Sequence, residues 1–274
     1  DPEIDAILCA IGGDDTYRLA PYLFDHDELK NAVTKKPFLG FSDTTLNHFM
    51  LHKVGLPTFY GQAFLPDVCE LALEMLPYTK RYFEEFLKTG TIREVRPSEL
   101  WYTSRTDFSP EALGTELPAH KNSGFELLQG PAQFDGEILG GCIDSMYEMF
   151  SGWRYGDMPE VCRNYGLFPA KDDWRGKILL MESCEEYMPP ETYKKALETL
   201  QETGVFDAVS GVLVGKPMDD MYHAEYKKLL VSIIANKELP ILCNINVGHA
   251  QPRCILPFGV PAHVDADAQV IRFG

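Results

Sequence analysis

No apolar run in the sequence approaches the ~18 residues that cross a bilayer, and the first residues carry no basic-then-apolar leader. Positive charge is scarce: 25 Lys and Arg stand against 41 Asp and Glu, a formal net charge of −16 with no basic run. That balance argues against nucleic acid or an anionic membrane as partner and leaves small-molecule or peptide chemistry. The seven cysteines, at 9, 69, 142, 162, 184, 243 and 254, are odd in number and include no CxxC, so they suggest neither a disulfide framework nor a zinc knuckle. A reducing, cytoplasmic compartment is the expectation. There is no GxGxxG, no Walker motif, no repeat and no low-complexity tract.

What is present is globular: 274 residues, 45% apolar and 24% charged. Ile4 to Ile11, closed by Gly12-Gly13, reads as a buried parallel strand ending in a tight turn. Lys36 to Phe41 reads as a second strand, Ser42 to Leu51 as a helix with Leu46, Phe49 and Met50 on one face, Val54 to Tyr60 as a third strand, and about Leu71 to Lys88 as a helix. Alternating strands and helices of this kind predict an α/β fold. The pattern weakens between about Gly90 and Gly130. It resumes with GEILGGC from Gly136, a helix at Ile143 to Phe150, a buried strand at Lys177 to Met181, a helix at Pro190 to Thr203 and a strand at Val209 to Val214. A helix at about Ala224 to Asn236 and strands at Pro240 to Asn246 and Val260 to Ile271 complete it. The expected division is an N-terminal α/β domain over 1–89, a linker or substrate loop over 90–130, and a C-terminal α/β domain over 131–274.

Three residues share a placement. Ser42 lies on a strand-to-helix turn, Glu182 directly follows the run Ile178 to Met181, and His249 follows Ile241 to Ile245 beside a glycine. Ligands of α/β proteins gather where strands end, and a serine nucleophile needs a base and an orienting acid. Each also has a structural alternative: Ser42 as a helix N-cap, Glu182 as a loop carboxylate, His249 as a cap on its strand. His48 and His52, four apart on one helix, lack a third ligand and read as a solvated or satisfied helix face, so no metal is expected.

Five ordered stretches, AILCAIGGDDTYRLAPYLFD, PFLGFSDTTLNHFMLHKVGLPTFYGQ, GEILGGCIDSM, GKILLMESCEE and NVGHAQPRCILPFG, resemble the LD-carboxypeptidase family, which includes murein tetrapeptide carboxypeptidases and microcin C self-immunity proteins. The resemblance implies a cofactor-free serine peptidase with Ser42 as nucleophile, His249 as base and Glu182 as its orienting acid. It implies a flavodoxin-like or amidotransferase-like parallel-sheet N-terminal domain, a mixed α/β C-terminal domain, and a homodimer. The family's first strand-helix units, a few dozen residues ahead of the glycine pair, are expected to be missing. Backbone N–H groups of Asp43, Gly12 and Gly13 are the expected oxyanion donors, with a plain turn as the alternative for the glycines. Two motifs depart from the family pattern, Glu182-Ser183 in place of Glu-Asp and Gly140-Gly141-Cys142 in place of a final Asn, and both touch expected substrate contacts, Gly141 among them. The aromatic-bearing insertion VRPSELWYTSRTDF resembles the microcin C immunity branch, where Trp101 would stack on the base of a peptidyl-adenylate or otherwise anchor its loop. A peptidyl- or aminoacyl-nucleotide is thus the expected substrate. A murein tetrapeptide ending in D-Ala is the alternative, and a non-hydrolytic binding protein a second one.

Overall fold

The computed structural model describes residues 3–32 and 34–274. Two main sheets organise them. The smaller has the order β1 (Ile7–Leu8), β2 (Phe38–Gly40), β3 (Thr58–Tyr60) and β12 (Leu256–Phe258), parallel except for the antiparallel β3–β12 pair. The larger has eight strands. Its centre is four parallel strands, β8 (Gln133–Cys142), β9 (Lys177–Glu182), β10 (Gly211–Gly215) and β11 (Ile241–Ile245). Antiparallel strands flank it: β13 (Pro261–Asp265), β14 (Val270–Phe273) and β4 (Glu94–Val95) on one side, β7 (Glu126–Gln129) on the other. A separate hairpin joins β5 (Leu100–Tyr102) to β6 (Ala119–Lys121).

Strands buried on both faces should be apolar without alternation, and β9, β10 and β11 are buried almost throughout. The helices Ile143–Ser151, Pro190–Thr203 and His223–Ile233 pack in succession beside them. The helix Thr45–Lys53 buries Leu46, Phe49 and Met50 and rests on β8, which joins the two sheets into one continuous core. The α/β expectation holds, with parallel and antiparallel pairings mixed in both main sheets.

Several local expectations change. Ile4 to Ile11 forms only the two-residue β1, the outer strand of its sheet among the described residues, so Ile4, Ile7 and Ile11 are exposed rather than buried. The helix expected from Leu71 begins at Pro77, because the residue before a proline is disfavoured in the helical region and Leu76 is extended. Val260 to Ile271 is a hairpin: the Asp265 carboxylate accepts the Ala268 N–H, and Gln269 takes a φ of 54° to turn the chain. The weakly patterned stretch 90–130 supplies two edge strands of the large sheet as well as the β5–β6 hairpin.

Candidate active site

Chain geometry delivers Ser42, Glu182 and His249 to one point. β2 ends at Gly40, and Ser42 follows with φ 67°, a left-handed conformation that turns the chain sharply into the helix Thr45–Lys53. A non-glycine residue held there is strained, and such outliers cluster at functional sites. The turn is pinned from several sides. Ser42 N–H donates to Tyr60 Oη at 3.1 Å, and Thr45 Oγ1 donates to the Ser42 carbonyl at 2.7 Å while accepting the Cys142 N–H at 2.9 Å.

Glu182 closes β9 and is buried, as is His249 four residues beyond β11. His249 Nδ1 lies 2.7 Å from Glu182 Oε2, and His249 Nε2 lies 3.1 Å from Ser42 Oγ. Both Glu182 oxygens are committed, Oε1 to the Tyr60 hydroxyl at 2.6 Å and Oε2 to the imidazole and the His249 N–H. Gly248 permits this closeness, since a Cβ at its φ of 84° would stand 2.3 Å from the Glu182 carboxyl. Cys142, Glu182 and His249 hold potential ligand atoms within 4.8 Å of one another, but a metal there would have to break the Glu182–His249 hydrogen bond.

A further carboxylate reaches the imidazole. Glu185, on the exposed turn after β9, places Oε2 3.0 Å from His249 Nε2. Burial pulls the imidazole pKa down, but Glu182 and then Glu185 outweigh it and hold His249 up to about 10. The same contact lowers Glu185 to about 2. While Nε2 keeps its proton it can donate to Ser42 Oγ and Glu185, but it cannot accept from the hydroxyl. Once that proton is lost, the array can take a proton from a hydroxyl and hold it against a buried carboxylate.

Gly12 lies against the serine, where a Cβ would fall 2.6 Å from Ser42 Cβ and Oγ and 3.5 Å from the Asp43 N. Among the described residues, Gly12, Gly13 and Asp43 spend no N–H on a hydrogen bond. The Asp43 side chain turns away to accept the Thr16 N–H at 3.0 Å. Gly141 faces Thr45 and Tyr60, with no room for a Cβ, and so lets the helix that follows Ser42 rest on β8. Trp101 is half-buried on the hairpin, stacked on its cross-strand partner His120 at 4.2 Å with Lys216 Nζ 4.8 Å from the ring centre. The hairpin reaches the site through Tyr102 N–H, which donates to the Gln251 carbonyl at 3.0 Å. His48 is fully buried and satisfied between Thr58 Oγ1 and the Gly40 carbonyl, and burial lowers it to about 4.

Sequence patterns of two LD-carboxypeptidase domains match the chain, the C-terminal one over residues 135–264 and the N-terminal one over residues 1–61. The chain belongs to the LD-carboxypeptidase family. Within the family it is similar to the microcin C7 self-immunity protein MccF of Escherichia coli, 26% identical over 97% of this chain and 73% of that one. A Bacillus subtilis relative named "Probable murein peptide carboxypeptidase" is 25% identical over 96% of this chain and 69% of its own. Among solved structures, an MccF-like protein from Streptococcus pneumoniae in complex with AMP superposes with a TM-score of 0.98 at 59% identity, covering all of this chain and 80% of that one.

Tyr60, Thr45 and Glu185 are the site residues that the sequence did not single out. Tyr60 ends a strand just as Glu182 does, a signal within reach of the same placement argument. Nothing in the sequence marks Thr45 or Glu185.

Proposed function

We propose that this LD-carboxypeptidase family member is a serine peptidase that hydrolyses the amide of a peptidyl- or aminoacyl-nucleotide. The carrying observation is the unbroken line from Ser42 Oγ through His249 to Glu182. In the reaction so read, His249 takes the Ser42 proton as Oγ attacks the carbonyl carbon, and it returns that proton to the nitrogen as the C–N bond breaks. Water then enters by the same route to release the acyl group. The Asp43 N–H and the Gly12-Gly13 N–H groups receive the developing oxyanion, and Glu182 steadies the imidazolium.

The nucleotide reading draws on the AMP bound by the Streptococcus relative and on the name of MccF, with Trp101 as the aromatic that would meet the base. A murein tetrapeptide is the alternative, favoured by the name of the Bacillus relative. Free thiols throughout suit a cytoplasmic setting, and the family resemblance is the support for a homodimer and for the 1–89 and 131–274 division.

Mass-spectrometric hydrolysis of an aminoacyl-adenylate analogue beside a tetrapeptide ending in D-Ala tests this. Cleavage of the adenylate, reduced about 10⁴-fold or more in Ser42→Ala, His249→Ala and Glu182→Gln, is the expected result. Cleavage of the tetrapeptide alone selects the murein reading. Absence of both, with no fluorophosphonate labelling of Ser42, leaves a binding protein.

A further inference from the structure

The Tyr60 hydroxyl stands between Ser42 and Glu182. Ser42 N–H donates to Tyr60 Oη at 3.1 Å, and Oη lies 2.6 Å from Glu182 Oε1. A backbone N–H can only donate, so toward Ser42 the phenol oxygen accepts, and its one proton is left for another partner. Thr45 Oγ1, 3.5 Å away, gives its own proton to the Ser42 carbonyl at 2.7 Å. The Tyr60 proton therefore goes to Glu182, whose other oxygen accepts the His249 N–H at 3.1 Å and faces Nδ1 at 2.7 Å. Burial, and then the nearby Glu182 charge, hold the phenol well above the usual tyrosine range, so it keeps that proton.

The ring is held independently of its hydroxyl. Tyr60 is fully buried at the end of β3, stacked on Phe258 at 5.6 Å and packed on His48 at 5.2 Å. Packing of this density fixes where Oη sits. Through Oη it fixes the Ser42 peptide in its left-handed turn and the setting of the Glu182 carboxyl.

We infer that Tyr60 is a positioning residue for the proposed hydrolysis: its hydroxyl locks Glu182 against the imidazole and Ser42 in its turn, so that acid and nucleophile are tied directly as well as through His249. The inference rests on Ser42, Glu182 and His249 acting as a triad. The Ser42 N–H, spent on Tyr60, is no donor for the oxyanion, which leaves that task to Asp43, Gly12 and Gly13. Without the Tyr60 O–H, the whole Glu182 charge would face the imidazole, and His249 would hold its proton to higher pH. Cys142, Asp144 and Glu185 also face this pair, and Arg253 donates to the His249 carbonyl; a change at Tyr60 leaves all four in place.

The test measures kcat and KM against pH for the wild type and for Tyr60→Phe, which keeps the ring. The variant's kcat should fall by about 10- to 100-fold with KM within about 2-fold, because the buried Tyr60 is out of a substrate's reach. The rising limb of kcat/KM should move to higher pH. An unchanged kcat, or a fall in kcat with an unmoved limb, would make Tyr60 a packing residue and overturn the inference. Imidazole 15N NMR reads the same effect without hydrolysis: His249 should titrate at higher pH in Tyr60→Phe, and an unmoved titration refutes the inference. If the wild type cuts no amide and Ser42 resists fluorophosphonate, the triad reading is what fails, and the NMR titration still decides the role of Tyr60. Should Tyr60→Phe not fold, 3-fluorotyrosine placed at position 60, a stronger donor of similar shape, should move the His249 titration to lower pH; no movement refutes the inference.

Discussion

Glu185 bears on rate more directly than its exposed position suggests. With Glu182 and Glu185 holding His249 up to about 10, kcat/KM should rise with pH through the neutral range as the imidazole loses its proton. Glu185→Gln removes one of the two charges, so the rising limb should move to lower pH and the rate at pH 7 should increase by about 3- to 10-fold. A pH–rate profile of both proteins checks this, and an unmoved limb would mean that the contact is not made in solution. Stability runs the other way. A group whose folded pKa is raised contributes fully below its unfolded value of about 6.5 and loses that contribution as pH climbs toward the folded value. The His249 contribution should therefore fade between about 6.5 and 10, read as a falling urea midpoint.

The elements that carry the site are tied by a buried ion pair. Arg253, five residues past Gly248, donates to the Gly248 and His249 carbonyls and pairs through Nη1 with Asp67 at 2.8 Å, both side chains buried. Removing the cation would leave a buried carboxylate alone, so Arg253→Ala should cost about 3–5 kcal/mol in urea unfolding. It should also reduce hydrolysis, because the His249 loop loses its brace. None of this pairing could be read from the sequence, where Asp67 and Arg253 are unremarkable residues 186 positions apart. What could be read were elements whose pattern is local. β9 and β10 hold continuous apolar runs, β11 is apolar but for Asn244, and the helix Pro190–Thr203 matches its expected span. The site residues were legible for a related reason, since strand ends are local features and the parallel sheets bring those ends together. The outer strands β4 and β7 were not. Short edge strands need little apolar content, and their partners β14 and β11 lie far along the chain.

At the scale of the whole molecule, the two sheets exchange strands. β12 crosses from the C-terminal half to pair with β3, and β4 crosses from the N-terminal half to pair with β14. The small sheet also rests on β8 through the helix Thr45–Lys53. A fragment ending at Thr89 lacks both supports and should show no cooperative thermal transition by circular dichroism, whereas the full chain should show one. A sharp transition in the fragment would count against this account of the core.

The crossing of β12 also has a consequence in time. A ribosome releases the amino end first, and Ser42 emerges 207 residues ahead of His249, an interval of roughly 10 to 40 s at about 5–20 residues per second. Throughout it Ser42 has neither His249 nor the strand that completes its sheet. On the proposed function, the growing chain would stay inert toward amides, its own and those of its neighbours, until the last strands are made.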